Sequence, residues 1–184
     1  MMKKLLLISL SLFAVSNAFA HPGHESISAS QGLLAGVLHP LMGLDHLLAL
    51  IAVGVVAGLA GKRTSWSLPV CYAVIMLIGF VIAAMGVTVF SMPVVETLIL
   101  SSVVLGAALI LVGRRGNAYA KSGLLLGFAL FHGIAHGIEV PAHVSANFFA
   151  SGFVMASLAI MLLASIVVRY APTLRRNGES QPNA

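Results

Sequence analysis

Five apolar runs constrain the fold more than any other feature of the sequence, at residues 32–60, 68–90, 93–112, 121–140 and 147–169. A helix of about 20 apolar residues crosses a bilayer. Only 8% of the residues are charged, against about 25% in soluble domains. Because lipid cannot satisfy backbone polar groups, runs of this length favour helices. The sequence therefore predicts an all-α, polytopic membrane bundle of about five transmembrane helices.

The first run is longer than one crossing requires and contains a proline. Pro40 has no N–H to donate and disfavours a helical conformation at His39. We therefore predict that the first helix is broken near Pro40 and that a full crossing helix starts near Leu41.

The N-terminus has the pattern of a secretory signal. A basic start at Lys3 and Lys4 precedes an apolar run at 5–15 and the small-residue sequence at 18–20, which together predict a cleaved signal peptide. The predicted organisation is a signal peptide at 1–20, a periplasmic N-terminal segment at 21–31, a transmembrane helical domain at 32–170, and a cytoplasmic tail, expected to be disordered, at 171–184.

Basic residues are confined to alternate loops of the mature chain. The segments expected to face outward, 21–31, 91–93 and 141–146, contain no lysine or arginine. Because cytoplasmic loops of membrane proteins are rich in these residues, the pattern predicts the bacterial inner membrane, a periplasmic N-terminus and a cytoplasmic C-terminus. The net positive charge follows from this topology and does not indicate nucleic acid.

Ionisable residues inside the apolar runs form two short clusters. Such a residue costs roughly 2.5–3.5 kcal/mol on insertion scales, so it is a functional candidate by default. With the predicted topology, both clusters lie in the outer half of the membrane, where they can converge on one site reached from the periplasm. The first cluster, HPLMGLDH, contains His39, Asp45 and His46, and the second, FHGIAHGIE, contains His132, His136 and Glu139.

Helical periodicity gives the two clusters different geometries. At about 100° per residue, the second cluster forms one narrow stripe on a helix face. In the first, His39 and His46 are nearly aligned, whereas Asp45 lies about 120° away. We expect the break at Pro40 and the flexible Gly43 to turn this group inward.

Imidazole and carboxylate ligands suit nickel, cobalt, zinc, copper and iron, and the absence of cysteine or clustered methionine at these positions argues against copper(I). Asp45 and Glu139 would balance the charge of a divalent ion. A single buried histidine often serves only as a hydrogen-bonding residue between helices, but six clustered groups favour a metal pathway. No Walker loop occurs in the sequence, so we expect the membrane potential to drive entry, with proton exchange through Asp45, Glu139 or the histidines as the alternative.

Four further polar residues have two interpretations. His21, His24 and His143 would face the periplasm, either as accessory metal-capturing groups or as solvated polar residues. Glu96 follows Pro93, and we interpret it first as a first-turn acid that complements the helix dipole.

Two glycine pairs have the spacing that lets helix backbones approach closely in lipid. They are Gly54 with Gly58 and Gly123 with Gly127.

Two other classes of protein fit part of the pattern. His132 and His136 have the spacing of zinc-hydrolase ligands, but Gly133 stands where the catalytic glutamate of H-E-x-x-H would be; metal-dependent hydrolysis by the purified protein would favour that class. Histidines on two helices could instead be axial haem ligands. That alternative leaves both carboxylates unexplained and predicts Soret absorbance.

At the two clusters the sequence resembles the HupE/UreJ family of nickel and cobalt permeases. The family pattern is His-Pro…Gly…Asp-His in the first helix and Phe-His-Gly…Ala-His-Gly…Glu in the fourth, and the resemblance covers essentially the whole mature chain. The matching residues are His39, Pro40, Gly43, Asp45 and His46, and Phe131, His132, Gly133, Ala135, His136, Gly137 and Glu139.

The resemblance implies uptake of nickel, or in some members cobalt, for hydrogenase or urease maturation or for cobalamin synthesis. It also implies that the six clustered ionisable residues form the ion pathway. We therefore predict a permease and not an enzyme, with Ni²⁺ or Co²⁺ as the transported substrate and no permanently bound cofactor. The expected partners are the metal ion and the lipid bilayer, with no nucleic acid. The sequence leaves open whether the protein forms a homo-oligomer.

Overall fold

The computed structural model describes residues 29–87 and 90–170. The predicted signal peptide, most of the predicted N-terminal segment and the predicted tail lie outside these residues. Within the described ranges the regular elements are all α-helices. They are α1 (Ala29–Met42), α2 (Leu44–Ala60), α3 (Thr64–Ala84), α4 (Met92–Val112), α5 (Ala118–Ile138) and α6 (Ala146–Tyr170).

Four helices, α3 to α6, are each long and apolar enough to cross a bilayer. Helices α1 and α2 pass the same test only as a pair, and their axes differ by 81°. The described part of the chain therefore has four candidate spans, or five if the bent pair is one span. The prediction of an all-α membrane bundle with about five transmembrane helices is confirmed.

The sequence predicted a break near Pro40, but the bend between α1 and α2 lies at Gly43. Pro40 is inside α1, which continues to Met42. Gly43 has an extended backbone, with φ −83° and ψ 108°, and α2 starts at the next residue. A proline removes one helical hydrogen bond, whereas a non-helical residue ends the run of helical dihedrals. The direction of the chain therefore changes after Pro40.

Helix α3 starts earlier and ends earlier than its apolar run. It includes Pro69, which cannot donate to the carbonyl of Ser65 four residues before it. That carbonyl accepts a hydrogen bond from Ser165 Oγ on α6 at 2.8 Å instead. At the other end, Gly86 has φ +80° and donates to Ala83 O, an arrangement that terminates a helix.

Helix α6 packs against both α1 and α2, and α5 packs against α3 and α4. The predicted close approach at Gly54 and Gly58 is present, because a Cβ on Gly58 would lie 2.6 Å from Ser165 O on α6 and one on Gly54 would overlap the Met161 backbone. The same prediction for Gly123 and Gly127 is wrong, since a Cβ at either position would meet nothing within 4 Å. Spacing alone does not show which glycine face meets a neighbouring helix.

Gly133 of α5 lies directly against the backbone of α3. A Cβ at this position would overlap the carbonyl oxygen of Met76 and lie 2.9 Å from Phe80 N. Because small residues let helices in lipid approach closely, this glycine sets the distance between α3 and α5. It lies between His132 and Ile134, so the same contact fixes the depth of the second cluster.

Candidate metal site

The outermost part of the site joins α1 to the end of α5. His39 Nε2 lies 3.0 Å from Glu139 Oε2 and donates to it when it carries the proton. Glu139 is the C-cap of α5, and its N–H donates to Ala135 O. His136, one turn earlier on α5, completes a group whose three ligand atoms lie within 4.8 Å of one another. These are separations that one ion could bridge after small side-chain movements.

The bend at Gly43 places the other two members of the first cluster at the start of α2. Asp45 Oδ1 accepts from the backbone N–H of His46 at 2.9 Å and lies 3.1 Å from His46 Nδ1. Asp45 remains partly exposed, with 43% of its side chain accessible, against 11% for His46. The carboxylate therefore orients the imidazole while remaining accessible from outside.

His132 lies deepest and has no accessible surface. Its Nδ1 is 3.2 Å from Phe128 O on the preceding turn of α5 and 3.0 Å from the hydroxyl of Tyr72 on α3. Tyr72 is also buried, with 1% exposure. Both partners contact the same ring nitrogen, so Nε2 is left to face the other histidines.

The four imidazoles form a row in which neighbouring rings touch. The ring centres are 4.8 Å apart for His39 and His136, 4.7 Å for His136 and His46, and 5.4 Å for His46 and His132. His39 and His46 are farther apart, at 6.4 Å. The two clusters predicted from the sequence are thus adjacent, as a row of histidines with a carboxylate near its outer end and another beside His46.

Several nitrogens of this row are buried without a hydrogen-bond partner in the described part of the chain. They are Nε2 of His46, Nε2 of His132, and both Nδ1 and Nε2 of His136. An unsatisfied buried polar group costs about 1–3 kcal/mol. Four such atoms at adjacent positions are available to a ligand that enters the row.

A cavity of about 740 Å³ opens beside the row. Its wall includes His39, Asp45, His46 and Glu139, whereas His132 and His136 are not part of it. A hydrated ion can therefore reach these four wall residues directly, and the two most buried histidines lie behind them.

Glu96 also lines this cavity, so the interpretation of Glu96 as a helix-dipole acid was incomplete. Helix α4 begins at Met92, with Ser91 as its N-cap. Glu96 therefore lies beyond the first turn, where the dipole effect has largely fallen away. The cavity wall carries three carboxylates, the third being that of Glu96.

Four further residues complete the comparison with the sequence. His143 is exposed in the loop between α5 and α6 and is not among the residues of the cavity wall; His21 and His24 lie outside the described residues. The sequence analysis missed Tyr72. The available signal was a tyrosine in the middle of an apolar run, because a buried phenol usually finds a hydrogen-bond partner.

The fold and the site define a polytopic helical membrane protein with a histidine–carboxylate cluster inside the membrane-spanning region. Residues 8–180 match the family described as HupE / UreJ protein. Protein HupE of Rhizobium leguminosarum bv. viciae is 34% identical over 149 residues, which cover 80% of this chain and 74% of that protein. No solved structure matches the chain. The chain belongs to the HupE/UreJ family, a membrane family related to nickel and cobalt transport.

Proposed function

We propose that this protein is an inner-membrane permease that takes up Ni²⁺, with Co²⁺ as the alternative substrate, through the histidine–carboxylate site. The observation that carries the proposal is the group of His39, His136 and Glu139, whose ligand atoms lie within 4.8 Å of one another beside an open cavity. Imidazole and carboxylate together suit both ions. The mature N-terminus would face the periplasm, so the cavity would open to the side from which the metal is supplied.

Charge balance supports a divalent cargo. Asp45 and Glu139 together carry −2 when ionised, which offsets the charge of the ion and lowers the cost of holding it in a low-dielectric region. An inside-negative membrane potential of about 100 mV adds roughly 4.6 kcal/mol for two charges. The potential is then a sufficient driving force, and the imported metal would supply nickel or cobalt enzymes in the cytoplasm.

The geometry disfavours the hydrolase alternative. The glutamate that such an enzyme needs would replace Gly133, where even a Cβ overlaps the backbone of α3. The helix packing that buries His132 and His136 therefore excludes a general base at that position. The two histidines are also buried behind the cavity wall and not part of it, so a bulky substrate could not reach them.

A bis-histidine haem is disfavoured for a different reason. A porphyrin held between His39 and His46 would have to displace His136, whose ring centre is 4.8 Å from one and 4.7 Å from the other. The row of imidazoles fits a bare ion better than a macrocycle.

The test is uptake of radioactive nickel by cells that express the intact protein, the His46→Ala variant or the His136→Ala variant, with cobalt and zinc as competitors. We expect nickel uptake by the intact protein, competition by cobalt, and loss of uptake in both variants at equal protein levels in the membrane. Because each variant removes one member of the row, equal loss would support a shared pathway.

Gly127→Ala serves as the control variant, since a Cβ there meets nothing within 4 Å and the residue lies outside the site. It should retain uptake at the level of the intact protein. Nickel accumulation no greater than in cells without the protein would contradict the proposed function.

A further inference from the structure

We propose that the site contains two successive binding positions that an ion occupies in turn. The outer position is formed by His39, His136 and Glu139, and the inner position by His46 and His132. The proposal rests on the proposed transport function and adds to it an order of events, with the close pair of His136 and His46 as the link between the two positions.

The distances between ring centres favour binding positions made of two imidazoles each. Two imidazoles that share one ion at metal–nitrogen distances of about 2.1 Å have ring centres roughly 4.6–5.3 Å apart, for ligand angles between about 90° and about 109°. Three neighbouring pairs lie close to this window, at 4.8, 4.7 and 5.4 Å. His39 and His46, at 6.4 Å, do not. The row therefore offers a series of two-imidazole sites and not one site for four imidazoles.

The two ring nitrogens of His136 support its place between the two positions. Both ring nitrogens of His136 are buried without a partner, and the ring lies next to His39 on one side and His46 on the other. A histidine that binds at a single position normally gives its second nitrogen to a carboxylate, a carbonyl or water. Neither nitrogen of His136 has a partner, so this ring can bind an ion together with His39 and then pass it on toward His46.

The two histidines of the inner position have supporting hydrogen bonds that His136 lacks. With Nδ1 protonated, His132 donates to Phe128 O and to the Tyr72 oxygen, which leaves the lone pair of Nε2 for an ion. His46 is held in the same way by Asp45, and its Nε2 is also unpartnered. Outer-shell bonds of this kind fix the tautomer and orientation of metal ligands.

The surroundings explain why the inner position comes second. The cavity reaches His39 and His46 but not His132. Beyond His132, Tyr72 packs in an apolar cluster with Met76, Leu125 and Ala129. Of the two inner ligands, His46 lies on the cavity wall and His132 does not, and the site is closed behind His132 at Tyr72. The inner position therefore ends at the ligand that is farther from the cavity, and we place it second.

The experiment compares nickel binding with nickel uptake in His39→Gln and His132→Gln. Binding is measured by equilibrium dialysis of the purified protein in detergent, and uptake in proteoliposomes with an inside-negative potential. For His132→Gln we expect a nickel dissociation constant within about threefold of the intact value and uptake reduced about tenfold or more. For His39→Gln we expect binding and uptake to weaken together, by about tenfold or more.

Tyr72→Phe provides a gentler second variant, since it keeps the buried ring and removes only the hydroxyl. It should bind nickel at the outer position as the intact protein does and transport it about tenfold more slowly. The matched control is Tyr119→Phe, at an exposed tyrosine of the first turn of α5, which should change neither quantity. If His132→Gln does not elute as a folded protein, the comparison of Tyr72→Phe with Tyr119→Phe tests the inner position instead.

X-ray absorption at the nickel edge gives an independent count of ligands in the intact protein. We expect about two imidazoles per ion. Three or four imidazoles, or equal loss of binding in His39→Gln and His132→Gln, would show a single converged site and overturn the proposal. Normal uptake by both His132→Gln and Tyr72→Phe would also overturn it. Absence of uptake by the intact protein would instead contradict the proposed function itself.

Discussion

At the scale of single residues, the structure gives the two clustered carboxylates different surroundings. Glu139 ends α5 at a partly exposed position and meets His39 across the site, so it can change its partner from a proton-bearing imidazole to an ion. Asp45 is bonded to both the backbone and the ring of His46, so its first role is to hold that ring. The sequence suggested the same role for both carboxylates, whereas the fold gives them different hydrogen-bond partners.

Glu139→Gln tests the binding role. The amide keeps the shape and can still accept a hydrogen bond from His39, but it removes the negative charge. We expect the affinity for nickel to fall roughly 10–100-fold with little change in thermal stability, measured by titration calorimetry and by thermal unfolding. An unchanged affinity would mean that Glu139 is not a ligand.

Glu96→Gln tests whether the third carboxylate of the cavity concentrates cations. Because Glu96 faces the cavity without joining the close ligand group, its effect should be electrostatic and screened by salt. At low ionic strength we expect the nickel concentration for half-maximal uptake to rise about two- to fivefold, and the difference should shrink at high salt. If the nickel concentration for half-maximal uptake is the same in the intact protein and the variant at low salt, Glu96 has a purely structural role.

The sequence predicted the six clustered residues because charged groups in apolar runs are costly and therefore conspicuous. It did not predict Tyr72, since a tyrosine carries no such penalty and its partner His132 is 60 residues away. Nor did it identify Glu96 as part of the cavity, because a simpler local explanation was available in the helix dipole. Pairings across α3, α4 and α5 depend on which helix faces meet, and periodicity within one helix does not contain that information.

At the scale of helices, close backbone contact decides where the ligands lie. Gly133 brings α5 against Met76 of α3, and this contact buries the histidines on either side of it. The bend at Gly43 positions the first cluster, because it places His39 on α1 and His46 on α2. The sequence predicted a break in this run but placed it at the proline, since the dihedral preferences of Pro40 are known in advance, whereas a glycine can adopt helical or extended dihedrals.

Gly133→Ala tests the helix contact, with Gly127→Ala on the same helix as its matched control. The added methyl group at Gly133 would overlap the α3 backbone, so we expect a loss of about 1–3 kcal/mol in stability and loss of nickel uptake. At Gly127 the methyl group meets nothing within 4 Å, so stability should be unchanged or rise by up to about 1 kcal/mol. Thermal unfolding in detergent measures both, and equal behaviour of the two variants would contradict the packing argument.

At the scale of the whole molecule, the bundle places the histidine–carboxylate cluster inside an apolar shell. Large apolar side chains are exposed along the outer faces of the helices, where lipid would cover them, while the ionisable groups lie between α1, α2, α4 and α5. The number of spans could be predicted from hydropathy alone, because length and composition determine it. The open cavity on one side and the closed tyrosine on the other could not, since they depend on how all of the helices pack together.

The most direct test of the central claim is nickel uptake into proteoliposomes that contain only the purified protein. With an inside-negative potential, we predict accumulation of radioactive nickel well above that of empty liposomes, a lower rate when the potential is collapsed, and loss of uptake in His136→Ala. Uptake by the intact protein no greater than by empty liposomes, or equal uptake by His136→Ala, would contradict the account.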